Sequence, residues 1–350
     1  MTKTKSLRIA ADGSIYQPSF VGRSDFDAET LAKELNDAMK GCGTDEKSLV
    51  SIIGSCDWDQ RIEIASEYKS LFGNDLEEDL SDELSGNFKF LVKICFMHKS
   101  QLDAYSMYKA MKGMGTDEDT IVEVLCSLTN DEVENLKTSY GELLESKGKS
   151  GRTLESDIKS ELGGFLERVC IALLQGMRKE PTDEELDSAM DGNLQAIFNE
   201  GLAREQAQQL YDAGENKWGT DEATFLQILA RESCWQLQAI STVYEELSGK
   251  TLLDAIKSEF SGKSEKALVT ILSCAIDRPM AIAKLLHDSM AGLGTCDVKL
   301  CRIIVTHAEV DLEAIKTAYE DAYETTLAED IKGDTSGEYQ ELLLKLVGAE

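Results

Sequence analysis

The chain has 350 residues, 42% of them apolar, and sets 65 acidic against 36 basic side chains for a formal charge of −29. That charge argues against unaided binding to nucleic acid or to an anionic bilayer, which like charge repels unless a multivalent cation intervenes. There is no stretch of about 18 apolar residues and no apolar leader behind MTKTKSLRIA, so neither a membrane span nor a conventional secretion signal is expected, and the chain reads as soluble.

In chain order, residues 1–24 read as an N-terminal arm without an amphipathic helix. Behind it, long Leu/Ile/Val/Ala-rich periodic stretches, only 3 prolines and 26 glycines predict helices joined by glycine turns. The segment GCGTDEKSL (41–49) recurs as GMGTDEDTI (113–121), KWGTDEATF (217–225) and GLGTCDVKL (292–300). After each threonine an apolar helix face begins: Leu49, Ile52 and Ile53; Ile121, Val124 and Leu125; Phe225, Ile228 and Leu229; Leu300, Ile303 and Ile304. This i, i+3, i+4 spacing turns each trio toward a core. The threonines Thr44, Thr116, Thr220 and Thr295 are expected as helix N-caps, with the acids behind them favourable at the positive end of the helix dipole.

A second feature has the same fourfold recurrence. Thr44, Thr220 and Thr295 are each followed 39 residues later by an acid, Glu83, Glu259 and Asp334, while Thr116 reaches Glu161 after 45. The polar insertion ESKGKSGR (145–152) accounts for the difference. The repeat period is 72 residues in the first half and 75 in the second, but 104 between Thr116 and Thr220. An elongated connection therefore lies between the halves. It contains RKEPTDEELDSAM (178–190), where Thr182 and Glu185 form a T-x-x-E capping box behind Pro181, so an extra helix is predicted there. The apolar spacing Leu186, Met190, Leu194 and Ile197 supports it. The resulting division is an arm (1–24), a first repeat (25–97), a second (98–176), the linker (177–200), a third repeat (201–276) and a fourth (277–350).

The nine cysteines (42, 56, 95, 126, 170, 234, 274, 296 and 301) are odd in number, scattered and never CxxC, so they read as small buried hydrophobes in a reducing compartment. Histidines 98, 287 and 307 lack the paired spacing of a zinc site. No G-x-S-x-G, P-loop or H-E-x-x-H occurs, so no enzyme is expected.

A Gly-x-Gly turn exposes backbone carbonyls, and calcium takes roughly 6–8 oxygens, carbonyls among them, especially beside a bidentate carboxylate. Carbonyls near Met39, Gly41 and Gly43, with Glu83 folded back, supply about five, leaving room for water or a lipid phosphate oxygen. With one carboxylate per ion the site keeps net positive charge, so an anionic ligand strengthens it. Calcium thereby reconciles an acidic protein with an acidic bilayer, and several weak sites act together through effective concentration. The residues at the turn tips, Cys42, Met114, Trp218 and Leu293, are apolar or soft and are expected to contact the membrane, Trp218 above all.

At these residues the sequence strongly resembles the annexins, over about residues 25–347, carried by the four G-x-G-T or K-x-G-T turns, the matched acids and the terminal IKGDTSGEY (331–339). The resemblance implies an all-α fold of four repeats of about five helices each, arranged as a curved disc with calcium on its convex face. It implies a second site of Met111, Gly113, Gly115 and Glu161, and a fourth of Met290, Gly292, Gly294 and Asp334. In the third, Lys217 replaces the first glycine beside Gly214, Gly219 and Glu259. Reversible, calcium-dependent binding to acidic, phosphatidylserine-like membranes follows, with a cytoplasmic, membrane-peripheral location. Unconventional export, self-association and a cytoskeletal or protein partner on the arm or linker stay open. The departures are the long linker, the insertion before Glu161, and Cys296-Asp297 where the other copies have Asp-Glu. The competing reading is a cytoskeletal scaffold of the same fold with little calcium dependence.

Overall fold

The computed structural model describes residues 9–10, 14–41, 43–292 and 294–349. Apart from one isolated bridge between Ile9 and Ile15, its regular elements are helical. The first repeat is α1 (Ala28–Ala38), α2 (Glu46–Ile53), α3 (Trp58–Phe72), α4 (Leu76–Glu83) and α5 (Gly86–Cys95). The second is α6 (Lys99–Ala110), α7 (Glu118–Cys126), α8 (Asn130–Ser146), α9 (Leu154–Glu161) and α10 (Gly164–Leu174). The linker forms α11 (Asp183–Met190) and a short 3-10 turn (Leu194–Ala196). The third repeat is α12 (Glu200–Ala213), α13 (Glu222–Leu229), α14 (Cys234–Ser248), α15 (Leu252–Glu259) and α16 (Gly262–Ile276). The fourth is α17 (Arg278–Met290), α18 (Asp297–His307), α19 (Leu312–Tyr323), α20 (Leu327–Asp334) and α21 (Gly337–Leu346).

Local chemistry explains the breaks. Asp57 opens α3 through a reciprocal capping box with Gln60, and the left-handed Gly73 closes it. Helix α4 is only 8 residues long, anchored by the buried Leu76 and Leu80. It ends because Leu84 is extended and Gly86 takes φ 60°, a step repeated before α10, α16 and α21 at Gly164, Gly262 and Gly337. This leaves the acids Glu83, Glu161, Glu259 and Asp334 as the last residues of four short helices.

The chain divides into two compact units. One comprises Tyr16–Leu102 with Ile282–Glu350, thus the first and fourth repeats. Its core interleaves the predicted trios Leu49, Ile52, Ile53 and Leu300, Ile303, Ile304 with Tyr68, Phe96, Tyr319 and Leu343. The other comprises Met1–Ile15 with Asp103–Ala281, the second and third repeats and the linker. Its core gathers Ile121, Val124, Leu125, Phe225, Ile228 and Leu229 around Tyr140 and Tyr244. Each repeat is too thin to bury its own apolar face and closes its core against a neighbour. Cys56, Cys95, Cys126, Cys170 and Cys301 are buried in these cores, as expected of small hydrophobes, while Cys296 is exposed. Cys42 lies outside the described residues. No helix among the described residues is long and apolar enough to cross a membrane.

The linker helix stands where the capping box put it, with Thr182 and Glu185 bonded reciprocally. Leu186, Ala189 and Ile197 bury against Trp235 and Ile9, with Met190 and Leu194 packed at the edge. Trp235 is at the first turn of α14, whereas Tyr244, nearer the glycine turn, lies nine residues on, about 14 Å along the helix axis. The linker thus packs at the end of α14 remote from that turn. Leu186→Ala, which empties a buried site, is expected to cost roughly 2–4 kcal/mol of linker stability. Hydrogen exchange should quicken across 183–197 without change in the calcium needed for lipid binding; a raised calcium requirement would tie the linker to the turns.

Candidate metal centre

Each glycine turn joins the first two helices of its repeat and is closed by one backbone hydrogen bond. The amides of Asp45, Asp117 and Cys296 donate to the carbonyls of Ala38, Ala110 and Ser289 at 2.8, 2.8 and 2.7 Å. Inside the turns, Gly41 and Gly43 take φ 110° and 96°, Gly113 and Gly115 take 119° and 93°, and Gly292 and Gly294 take 100° and 89°. A side chain at any of these would meet nothing within 4 Å, so backbone conformation, not space, requires glycine.

The third turn is built differently. Asp221 donates to Ala213 at 2.7 Å, so the turn holds one residue more. The only non-glycine residue with positive φ among those described is Glu324, so Lys217 occupies ordinary backbone. The extra residue relieves the torsion that glycine meets elsewhere. Gly214 differs in being crowded: a Cβ there would lie 3.2 Å from Cγ of Glu259 and 3.3 Å from the Phe225 ring, tight enough that a neighbour would have to shift.

The structure corrects the role expected of the threonines. The N-caps are one residue later, Asp45, Asp117 and Asp221, whose carboxylates accept first-turn amides. In the fourth copy Cys296 takes that position without a side-chain cap bond. In the first three copies a carboxylate outcompetes the hydroxyl for the positive helix end and frees the threonine for another partner. Thr44 Oγ1 donates to Glu83 Oε2 at 2.7 Å and Thr116 Oγ1 to Glu161 Oε2 at 2.9 Å. Thr295 Oγ1 donates to Asp334 Oδ2 at 3.1 Å, and Thr220 Oγ1 donates to Glu259 Oε2. Residues 39 or 45 apart in sequence are thereby brought together in all four repeats.

These acids are half or wholly exposed, and no Lys or Arg among the described residues pairs with them. Each turn thus carries one carboxylate outside any salt bridge, with one oxygen tethered by threonine. Among the described residues, no group of three or more His, Cys, Asp or Glu is arranged to hold a metal ion. A metal here must draw on backbone oxygens around a single carboxylate, which suits hard, oxygen-seeking calcium and not zinc. Of the turn tips, Met114 and Trp218 are fully exposed. Cys42 and Leu293 lie outside the described residues. Met39 and Met111 are half-buried and Met290 is buried, and a thioether is no ligand for a hard cation, so only their carbonyls could serve an ion.

A supporting layer escaped the sequence reading. Tyr68 and Tyr140 donate to Asp79 and Asp157, both at 2.7 Å, and Tyr319 donates to Asp330. Tyr244, in the third repeat, bonds Glu215 of the longer turn at 3.5 Å. Burial, then the neighbouring carboxylate, raises the proton affinity of the Tyr68, Tyr140 and Tyr319 phenols. Tyr68, Tyr140 and Tyr319 tie the third helix of a repeat to the fourth, and Tyr244 ties it to the turn; their recurrence at the repeat period was the available signal.

Four matches to the family model described as Annexin cover residues 30–94, 102–173, 205–271 and 281–346. The chain belongs to the annexin family. It is 42% identical over 352 residues to annexin A13 of Schistosoma japonicum, covering 100% of this chain and 99% of that protein. Among solved structures it resembles calcium-bound annexin (Sm)1 with TM-score 0.90 at 36% identity, over 99% of this chain and 97% of that one. It resembles apo-annexin (Sm)1 with TM-score 0.91, also at 36% identity, over 100% and 99%.

Proposed function

We propose that this annexin attaches reversibly to acidic phospholipid membranes by binding calcium at its glycine turns. One observation carries the reading: every turn meets an unpaired carboxylate, held by a threonine hydrogen bond, from the far end of its repeat. In the first, second and fourth repeats the ligands are Glu83, Glu161 or Asp334 with backbone oxygens at Met39, Gly41 and Gly43; Met111, Gly113 and Gly115; or Met290, Gly292 and Gly294. In the third they are Glu259 with backbone oxygens at Gly214, Lys217 and Gly219. Calcium supplies the positive charge that lets an acidic chain approach phosphate oxygens of the bilayer. The similarity to a relative solved with calcium bound supports calcium as the ion.

The protein's own residues do the rest. The threonines hold each carboxylate at its turn, the closing hydrogen bonds fix the turn, and Met114 and Trp218 offer apolar contact to the interface. The activity is one of binding, membrane-peripheral and calcium-switched. Co-sedimentation with phosphatidylcholine vesicles, with and without phosphatidylserine, tests it. Pelleting should need both calcium and phosphatidylserine and reverse with chelator. Pelleting indifferent to calcium would instead favour a scaffold of the same fold.

A further inference from the structure

The six-residue insertion of the second repeat is unused by the calcium chemistry proposed above. In the other repeats, two residues connect the third helix to the N-cap of the fourth; between α8 and Thr153 there are six, 147–152. The connection is not loose at its start. Gly148 takes φ 68°, and the amides of Gly148 and Lys149 donate back to Glu145 and Leu144, each at 2.9 Å, which fixes Lys147 and Lys149 on either side of a left-handed helix end.

Both lysines converge on one aromatic ring. The Nζ atoms of Lys147 and Lys149 lie 5.3 and 4.9 Å from the centroid of Tyr108, and Lys149 also donates to the Tyr108 hydroxyl at 3.2 Å. Lys112, the residue before the glycine turn of the same repeat, brings a third ammonium to 5.7 Å from that centroid. Tyr108 is buried, packed in the core of its unit. The Lys149 hydrogen bond and then the charges of Lys149, Lys112 and Lys147 hold its phenol below the ordinary tyrosine range.

Elsewhere the same positions are neutralised. Lys40, one repeat earlier than Lys112, pairs with Asp37 at 2.8 Å, and Lys250, in the matching connection of the third repeat, pairs with Glu215 at 2.6 Å. Within the insertion Arg152 is taken by Asp157 at 2.7 Å. Lys112, Lys147 and Lys149 have no carboxylate partner among the described residues, in a chain of net charge −29. Three gathered cations without a counter-charge, where acids are plentiful, point to an anion from outside. Screening over about 8 Å at physiological salt lets this cluster act independently of the distant net charge.

We propose that Lys112, Lys147 and Lys149, gathered on Tyr108, form a binding site for a phosphate monoester of the kind carried on a phosphorylated inositol headgroup. A monoester brings nearly two negative charges and three terminal oxygens, matching three ammonium donors; a phosphodiester or a serine carboxylate brings one charge. Lysines serve here as point charges, without the planar fork that favours carboxylates. Lys112 adjoins Gly113, so a bilayer approached by this turn presents such headgroups to the cluster. Only that lipid source rests on the membrane reading; the anion site does not.

The test uses the full chain and its Lys147→Gln/Lys149→Gln variant, with circular dichroism to verify equal folding. In chelator and without lipid, calorimetry with soluble inositol 1,4-bisphosphate should give saturable binding, displaced by inorganic phosphate and weakened at least tenfold in the variant. At limiting calcium, phosphatidylcholine vesicles holding a phosphatidylinositol monophosphate should capture more native protein than vesicles of equal surface charge made with phosphatidylserine. That preference should vanish in the variant. Soluble binding lost in the variant, without a vesicle preference, would support the site and assign it to free phosphate compounds. No soluble binding, or binding unchanged in the variant, would overturn the proposal, whatever the vesicles do in calcium.

Discussion

Glu83→Gln combined with Asp334→Asn is expected to raise the calcium needed for half-maximal vesicle binding on the order of tenfold or more, about 1.4 kcal/mol per factor of ten. The substitutions remove the charge but keep a side-chain oxygen to accept the threonine hydrogen bonds, at 2.7 and 3.1 Å in the native protein. Both residues end short helices whose stability comes from buried Leu76, Leu80, Leu327 and Ile331, so the fold should be unaffected. The loss is larger than one site predicts, because linked weak sites multiply their effects and two of the four proposed sites are removed together. Vesicle pelleting across calcium concentrations, with thermal melts in chelator, checks this. An unchanged calcium midpoint would dissociate these acids from metal binding.

Trp218 should report membrane contact directly. Its side chain is fully exposed at a turn tip, whereas Trp235 is buried against the linker and Trp58 is half-buried with its indole Nε1 enclosed. Emission should shift to the blue only when calcium and acidic vesicles are both present, as the indole moves from water into the interface. Trp218→Ala should abolish the shift and weaken binding without eliminating it. The lost contact is worth about 1.5–3 kcal/mol for a fully buried side chain, less at a half-wet interface. The same shift in Trp218→Ala would mean that this tip does not reach the bilayer.

Much of the architecture was legible because its signals are local and repeated. The apolar trios behind each threonine face the cores as their spacing required, and the capping box at Thr182 marked the linker helix. The pairing of turn and acid was legible too, since a fixed separation across four copies encodes a contact even without geometry. Other features depend on which of two neighbouring side chains wins a hydrogen bond. Asp45, not Thr44, caps its helix, and only the packed structure reveals that the threonine turns to Glu83.

The third turn hid its extra residue because Lys217 aligns with a glycine when counted from the threonine, while the difference lies in the closing bond to Ala213. The lysine cluster escaped for another reason. Tyr108 is buried on α6, Lys149 follows it by 41 residues, and nothing in linear spacing announces that three lysines share one ring. The insertion was visible as an insertion; its chemistry required three dimensions.

If the four turn-and-acid pairs bind the calcium that bridges this protein to acidic lipid, bound calcium per chain on phosphatidylserine vesicles will differ between the native protein and Glu83→Gln/Glu161→Gln/Glu259→Gln/Asp334→Asn. The native protein should bind several ions and pellet with the vesicles. The quadruple variant, equally folded, should bind almost none and remain in the supernatant at the same calcium concentration. Equal calcium and equal pelleting in the variant would show that these acids do not hold the bridging calcium.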